Sequence, residues 1–138
     1  MSTAPGTYAI TITGTSGSLV HTAVFTLTVA LAVPDFTTGV TPTSSSLTLG
    51  RATSISYKLT LTPKFGFTGA ITLSATGIPP GTTGVWKANP VSITSTSAVY
   101  AYYTLTVPST APASVSTITF TGTGGAMTHS VTATVTIK

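Results

Sequence analysis

Residues 10–29 read ITITGTSGSLVHTAVFTLTV, and residues 118–137 read ITFTGTGGAMTHSVTATVTI. At a fixed offset of 108, nine of these twenty positions are identical, and Leu19/Met127, Leu27/Val135 and Val29/Ile137 exchange like for like. Apolar and polar residues alternate through both stretches, the period-two signature of a strand with one buried face. A Gly-containing break in the middle of each marks a hairpin turn. A repeat at a fixed period is the mark of a modular array, and about 108 residues is the size of one two-sheet sandwich. Just upstream, Ser2-Thr3-Ala4-Pro5 matches Ser109-Thr110-Ala111-Pro112 at an offset of 107. One residue is therefore gained near 113–115, where a β-bulge is expected, because one extra residue in a strand flips its inward face.

The alternation continues through the rest of the chain, and no segment carries a helical period. Ile55, Tyr57, Leu59 and Leu61 share one face, as do Ile71, Leu73 and Ala75, and Val99, Ala101, Tyr103, Leu105 and Val107. Ile118 and Phe120, then Val131, Ala133, Val135 and Ile137, complete the expected core. Pro42, Gly50, Pro63, Gly66, Gly69, Gly77-Ile78-Pro79-Pro80-Gly81, Asn89-Pro90, Pro108 and Pro112 punctuate these runs. The expected strands are 35–41 with 46–49 as one split strand, then 53–62, 69–76, 84–88, 98–107, and a closing hairpin over 115–137. The fold class is all-β: an antiparallel sandwich of about seven strands over residues 31–138. Residues 1–30 add an N-terminal hairpin, with strands near 7–14 and 19–29, that duplicates the last two strands of the repeat.

Thr occurs 34 times and Ser 16 times among 138 residues, while five Lys and Arg face one Asp and no Glu. β-branched Thr suits strands and here supplies the outward polarity that charged residues usually supply. The net charge of +4 reflects missing acids, and Arg51, Lys58, Lys64, Lys87 and Lys138 form no cluster. Nucleic-acid binding, which needs a basic stripe, is not expected. Without Cys, no disulfide staples the fold. No apolar run reaches the length of a membrane span. Residues 1–5 have neither the basic start nor the apolar core of a signal peptide.

Gly66-Phe67-Thr68-Gly69-Ala70-Ile71-Thr72-Leu73-Ser74, followed by Gly77-Ile78-Pro79-Pro80-Gly81, resembles a family of immunoglobulin-like repeats from bacterial cell-surface and secreted proteins. So does Ala4-Pro5-Gly6-Thr7-Tyr8 with Ile10-Thr11-Ile12-Thr13-Gly14-Thr15-Ser16-Gly17 and Leu27-Thr28-Val29. The second copy departs from that pattern at Ala113-Ser114-Val115. The resemblance implies an immunoglobulin-like sandwich, an extracellular or cell-surface location and tandem repetition, and it does not imply enzymatic activity. Its motifs are turn glycines and core residues, so it implies no ligand.

The residue inventory excludes most chemistry. Paired-carboxylate catalysis is impossible with Asp35 alone. Calcium lacks its oxygen ligands, and no nucleophile-elbow motif supports a Ser-His-Asp set. His21 and His129 occupy equivalent repeat positions, which favours a structural role bonded to a backbone carbonyl over a metal site. An Asn–Lys crosslink would have only Asn89 and Asp35 to draw on. No catalytic residue, metal or cofactor is expected.

Two surfaces stand out. Tyr100 and Tyr102 fall on the outward phase of their strand, with Trp86 expected on the same sheet. These aromatics are either covered by neighbouring groups, buried in a protein contact, or free to stack on sugar rings. The second surface is the spare hairpin, whose Tyr8, Ile10, Ile12, Phe25, Leu27 and Val29 await an inter-subunit partner. The expected function is a non-catalytic structural module that self-associates with neighbouring copies or tandem domains. The alternative is a carbohydrate-binding or adhesive accessory module.

Overall fold

A computed structural model of the chain describes residues 3–138, so Ser2 of the upstream Ser-Thr-Ala-Pro match lies outside the described residues. The chain divides into two compact units between Val33 and Pro34.

The first unit is a hairpin of β1 (Gly6–Ser16) and β2 (Leu19–Val29). Its ladder runs unbroken from Gly6↔Val29 to Ser16↔Leu19. Two residues form the turn, and the first, Gly17, has a φ of 60°, the left-handed conformation that tight hairpin turns require. Directly opposed residues of an antiparallel ladder share a face. The pairs Tyr8↔Leu27, Ile10↔Phe25 and Ile12↔Ala23 therefore build one apolar face. The Tyr8 hydroxyl donates to the Ala4 carbonyl at 2.6 Å.

The second unit is a sandwich of β3 (Asp35–Thr41), β4 (Ser44–Leu47), β5 (Thr53–Lys64), β6 (Gly69–Thr76), β7 (Thr83–Trp86), β8 (Val91–Ile93), β9 (Val99–Val107), β10 (Ser114–Gly124) and β11 (Met127–Ile137). One sheet has the order β4-β11-β10-β6-β8 and the other β3-β5-β9-β7. All neighbours are antiparallel except β4 and β11. Counting β3 and β4 as one split strand leaves the seven expected strands plus β8. At three residues, β8 is too short to show a period.

The inward faces are those the alternation marks. Tyr57, Leu59, Leu61, Leu105 and Val107 of one sheet pack on Ile71, Ile118, Phe120, Val135 and Ile137 of the other. Phe120 centres an aromatic cluster, with ring centroids 5.3 Å from Tyr57, 5.3 Å from Tyr103 and 5.9 Å from Trp86. Gly124 leaves room for Phe67: a Cβ there would lie 2.7 Å from its ring edge.

The expected bulge near 113–115 is absent. The β10–β11 ladder is regular from Ser114↔Ile137 to Gly124↔Met127. The gained residue, Ala113, lies in the loop before β10, where an insertion leaves the register untouched.

Candidate functional site

At the offset of 108 the hairpin of the first unit matches β10–β11 pair for pair, from Gly6↔Val29 against Ser114↔Ile137 to Ser16↔Leu19 against Gly124↔Met127. The two differ in what covers them. Phe120 is fully buried, whereas its counterpart Ile12 is 58% exposed. Val135 is fully buried, whereas Leu27 is 44% exposed. Tyr8 and Phe25 are also exposed, and Ile10 and Val29 are half-buried. Within its own unit the hairpin thus bares the face that its duplicate buries.

The copies also differ in shape. Phe25 stands where the closing hairpin has Ala133, and Ser16 stands where it has Gly124. A Cβ at Gly124 would press on Phe67, Ile71 and Phe36 at 2.7, 3.2 and 3.3 Å.

The second surface is the outer face of the β3-β5-β9-β7 sheet. Strand alternation turns Tyr100 and Tyr102 away from the core, 52% and 39% exposed. β5 runs beside them, pairing Lys58 with Tyr102 and Thr60 with Tyr100. The Lys58 Nζ lies 5.0 Å from the centroid of the Tyr100 ring, and the Lys87 Nζ lies 5.9 Å from that of Tyr102. The Lys87 amide donates to the Tyr102 carbonyl at 2.9 Å, fixing that strand edge. A shallow depression of about 300 Å³ opens there, lined by Lys87, Ala88, Tyr100, Ala101 and Tyr102.

Trp86 is not part of this face. It pairs with Tyr103, one step from Tyr102, so alternation sends it inward with Tyr103. Its ring packs 4.9 Å from Tyr103 and 5.9 Å from Phe120. The two lysines, which sequence reasoning missed as site members, take its place. Lys58 shares the outward phase of Ser54 and Ser56, but only the β5–β9 register shows that it meets Tyr100 and Tyr102.

His129 binds a carboxylate, not the expected backbone carbonyl. Its Nε2 lies 2.6 Å from Asp35 Oδ1, and its ring stands edge-on to Phe36. The Phe36 amide donates to the same oxygen at 2.8 Å. These two bonds, the His129 one foremost, hold the Asp35 carboxyl below its ordinary pKa of 3.8. His21, its counterpart in the first unit, is exposed. Among the described residues no three His, Cys, Asp or Glu side chains gather as a metal site. Asn89 spans β6: its Oδ1 accepts from the Leu73 amide at 2.9 Å, and its Nδ2 donates to the Leu73 carbonyl at 2.7 Å. A further open depression of about 350 Å³, lined by Ser46, Leu47, Thr48, Arg51, Ala52 and Thr53, holds hydroxyls and one cation.

No known family signature matches the chain, and no curated protein matches its sequence. Solved structures do resemble it. Domains 4 and 5 of the S-layer protein SbsC align over 96% of this chain and 65% of theirs, with 21% identity and a TM-score of 0.49. A longer SbsC fragment, residues 31–844, aligns over 98% of this chain and 17% of its own length, with 23% identity and a TM-score of 0.49. A family 123 glycoside hydrolase from Clostridium perfringens aligns over 77% of this chain and 27% of its own, with 9% identity and a TM-score of 0.55. The chain thus spans less than two thirds of each of these proteins. At such identities the hydrolase alignment speaks for the β-sandwich architecture alone.

Proposed function

We propose that this chain is a non-catalytic structural module of a bacterial extracellular or cell-surface assembly. In this reading residues 31–138 are an immunoglobulin-like repeat, and residues 1–30 are a docking hairpin for a neighbouring copy. The supporting observation is the bared face of β1–β2, built on the pattern and register of a hairpin that the sandwich buries. An isolated two-stranded hairpin is marginal in water, and an apolar sheet face of this kind gains most by burial.

A second copy suits that face because it carries no charge and the chain as a whole is only 4% charged. Identical subunits of that composition repel one another little at close range. The hairpin is not a plain substitute for β10–β11 in an identical sandwich, since Ser16 would strike Phe67 and Phe25 exceeds the space of Ala133. It packs instead in the joint between successive copies. Such a head-to-tail contact gives a filament or an array where it does not close on itself.

Light scattering on the full chain, backed by electron microscopy, tests this. Assemblies that grow with concentration and vanish on removal of residues 1–30, or in Ile12→Asp, are expected. A strictly monomeric full chain at high concentration would overturn the proposal.

A further inference from the structure

We propose that the Tyr100/Tyr102 face binds an acidic carbohydrate. Two tyrosines bare their rings on one strand face, two residues and so about 7 Å apart along the strand. Each ring has an ammonium group over one of its faces, Lys58 at Tyr100 and Lys87 at Tyr102, which leaves the opposite face for stacking. The depression between them is open and shallow.

Charge selects the sign of the ligand. The only side-chain carboxylate in the chain, Asp35, is bonded to His129, so Lys58 and Lys87 have no acid of their own to meet. Another copy brings the same single Asp side chain against five Lys and Arg, so its charge is poorly matched to this face. An anion from outside the assembly suits it better, whereas the uncharged hairpin face suits a second copy.

Shape and polarity select the class. Protein anchors seat in deep, desolvated pockets, and this face has none. It presents flat rings bordered by Ser56, Thr60 and Thr104, whose side chains share the outer face, with exposed Val85 at the margin. Such a surface offers stacking for the C–H face of a pyranose and hydroxyl partners for its rim, while the lysines take ring carboxylates. A polymer of uronic acids, with one carboxylate per ring, carries this combination.

Calorimetric titration of the full chain with an oligogalacturonate, a neutral malto-oligosaccharide of equal length, and poly-L-glutamate tests the proposal. Binding of the uronate that weakens with added salt, and little binding of the other two, is expected. Tyr102→Ala and Lys87→Gln should each weaken uronate binding by about tenfold or more. Arg51→Gln, which removes the same charge elsewhere, should leave it unchanged. All three positions are exposed, so circular dichroism should show the same fold throughout. No uronate binding, equal binding of polyglutamate, or equal weakening by Arg51→Gln would each overturn the proposal.

Discussion

The Nε2 of His129 lies 2.6 Å from Asp35 Oδ1, tying the last strand of the sandwich to its first across 94 residues of chain. Asp35 carries the only carboxylate side chain in the sequence, so this pair is its one side-chain carboxylate device for sensing pH. The folded-state pKa of Asp35 is lowered, chiefly by the His129 hydrogen bond and then by the Phe36 amide. A lowered carboxylate contributes stability above its unfolded value, near 3.8, and loses it as pH falls through the folded value. The thermal midpoint should therefore hold down to about pH 4 and drop only below it. In Asp35→Asn that acid-limb drop should disappear. Calorimetric scans of both proteins from neutral to strongly acidic pH check this, and an unchanged acid limb in the variant would refute it.

Gly84 lies against Tyr103 so closely that a Cβ would overlap the phenol oxygen. The ring cannot swing away, since Trp86 and Phe120 pack on it at 4.9 and 5.3 Å. Gly84→Ala should destabilise the sandwich by about 1–3 kcal/mol through overpacking. Gly39, where an added Cβ meets nothing within 4 Å, is the control, and Gly39→Ala should be near neutral. Urea titration of the two variants separates the outcomes.

Asn89 extends the β6–β8 pairing beyond Ile71↔Val91 by supplying a side-chain amide where a backbone rung would sit opposite Leu73. Asn89→Ala would leave the Leu73 amide and carbonyl without these partners, a cost of about 1–3 kcal/mol. Asn89→Asp keeps the acceptor and loses the donor, so it should fall between the wild type and the alanine variant. Hydrogen exchange of the Leu73 amide provides a local check: it should speed up in Asn89→Ala.

Strand positions and inward faces were legible because period-two alternation is clean in a sequence this rich in Thr. Residues 35–41 and 69–76 bound their strands as expected, and every alternating residue from Tyr57 to Ile137 assigned to the core packs there or against it. What alternation cannot carry is pairing. Trp86 lies on the same sheet as Tyr100 and Tyr102, as expected, but on its inner face: nothing in the sequence fixes the β7–β9 register, and a single step reverses the face. Lys58 was invisible as a neighbour of Tyr100 for the same reason. The Asp35–His129 bond joins residues too far apart in the chain for any local pattern to connect them. The expected bulge is absent: an offset change locates an insertion but not whether strand or loop absorbs it.

All the fully buried core side chains, from Phe36 to Ile137, lie in the second unit. None comes from the hairpin, whose large apolar residues are exposed or half-buried. Residues 34–138 are therefore expected to set the free energy of folding the sandwich, since burial of apolar surface is its dominant favourable term. A chain lacking residues 1–30 should unfold cooperatively with an unchanged thermal midpoint at low protein concentration. Leu105→Ala, which empties a fully buried site, should lower the stability of either length by the same amount, roughly 2–5 kcal/mol. At high concentration the two lengths should part: assembly through the hairpin would raise the midpoint of the full chain alone, because association stabilises by mass action. Calorimetry of both lengths across a wide concentration series measures all three effects. A truncated chain with no cooperative transition would show that the sandwich depends on residues 1–30, and a full-chain midpoint that ignores concentration would count against assembly through the hairpin.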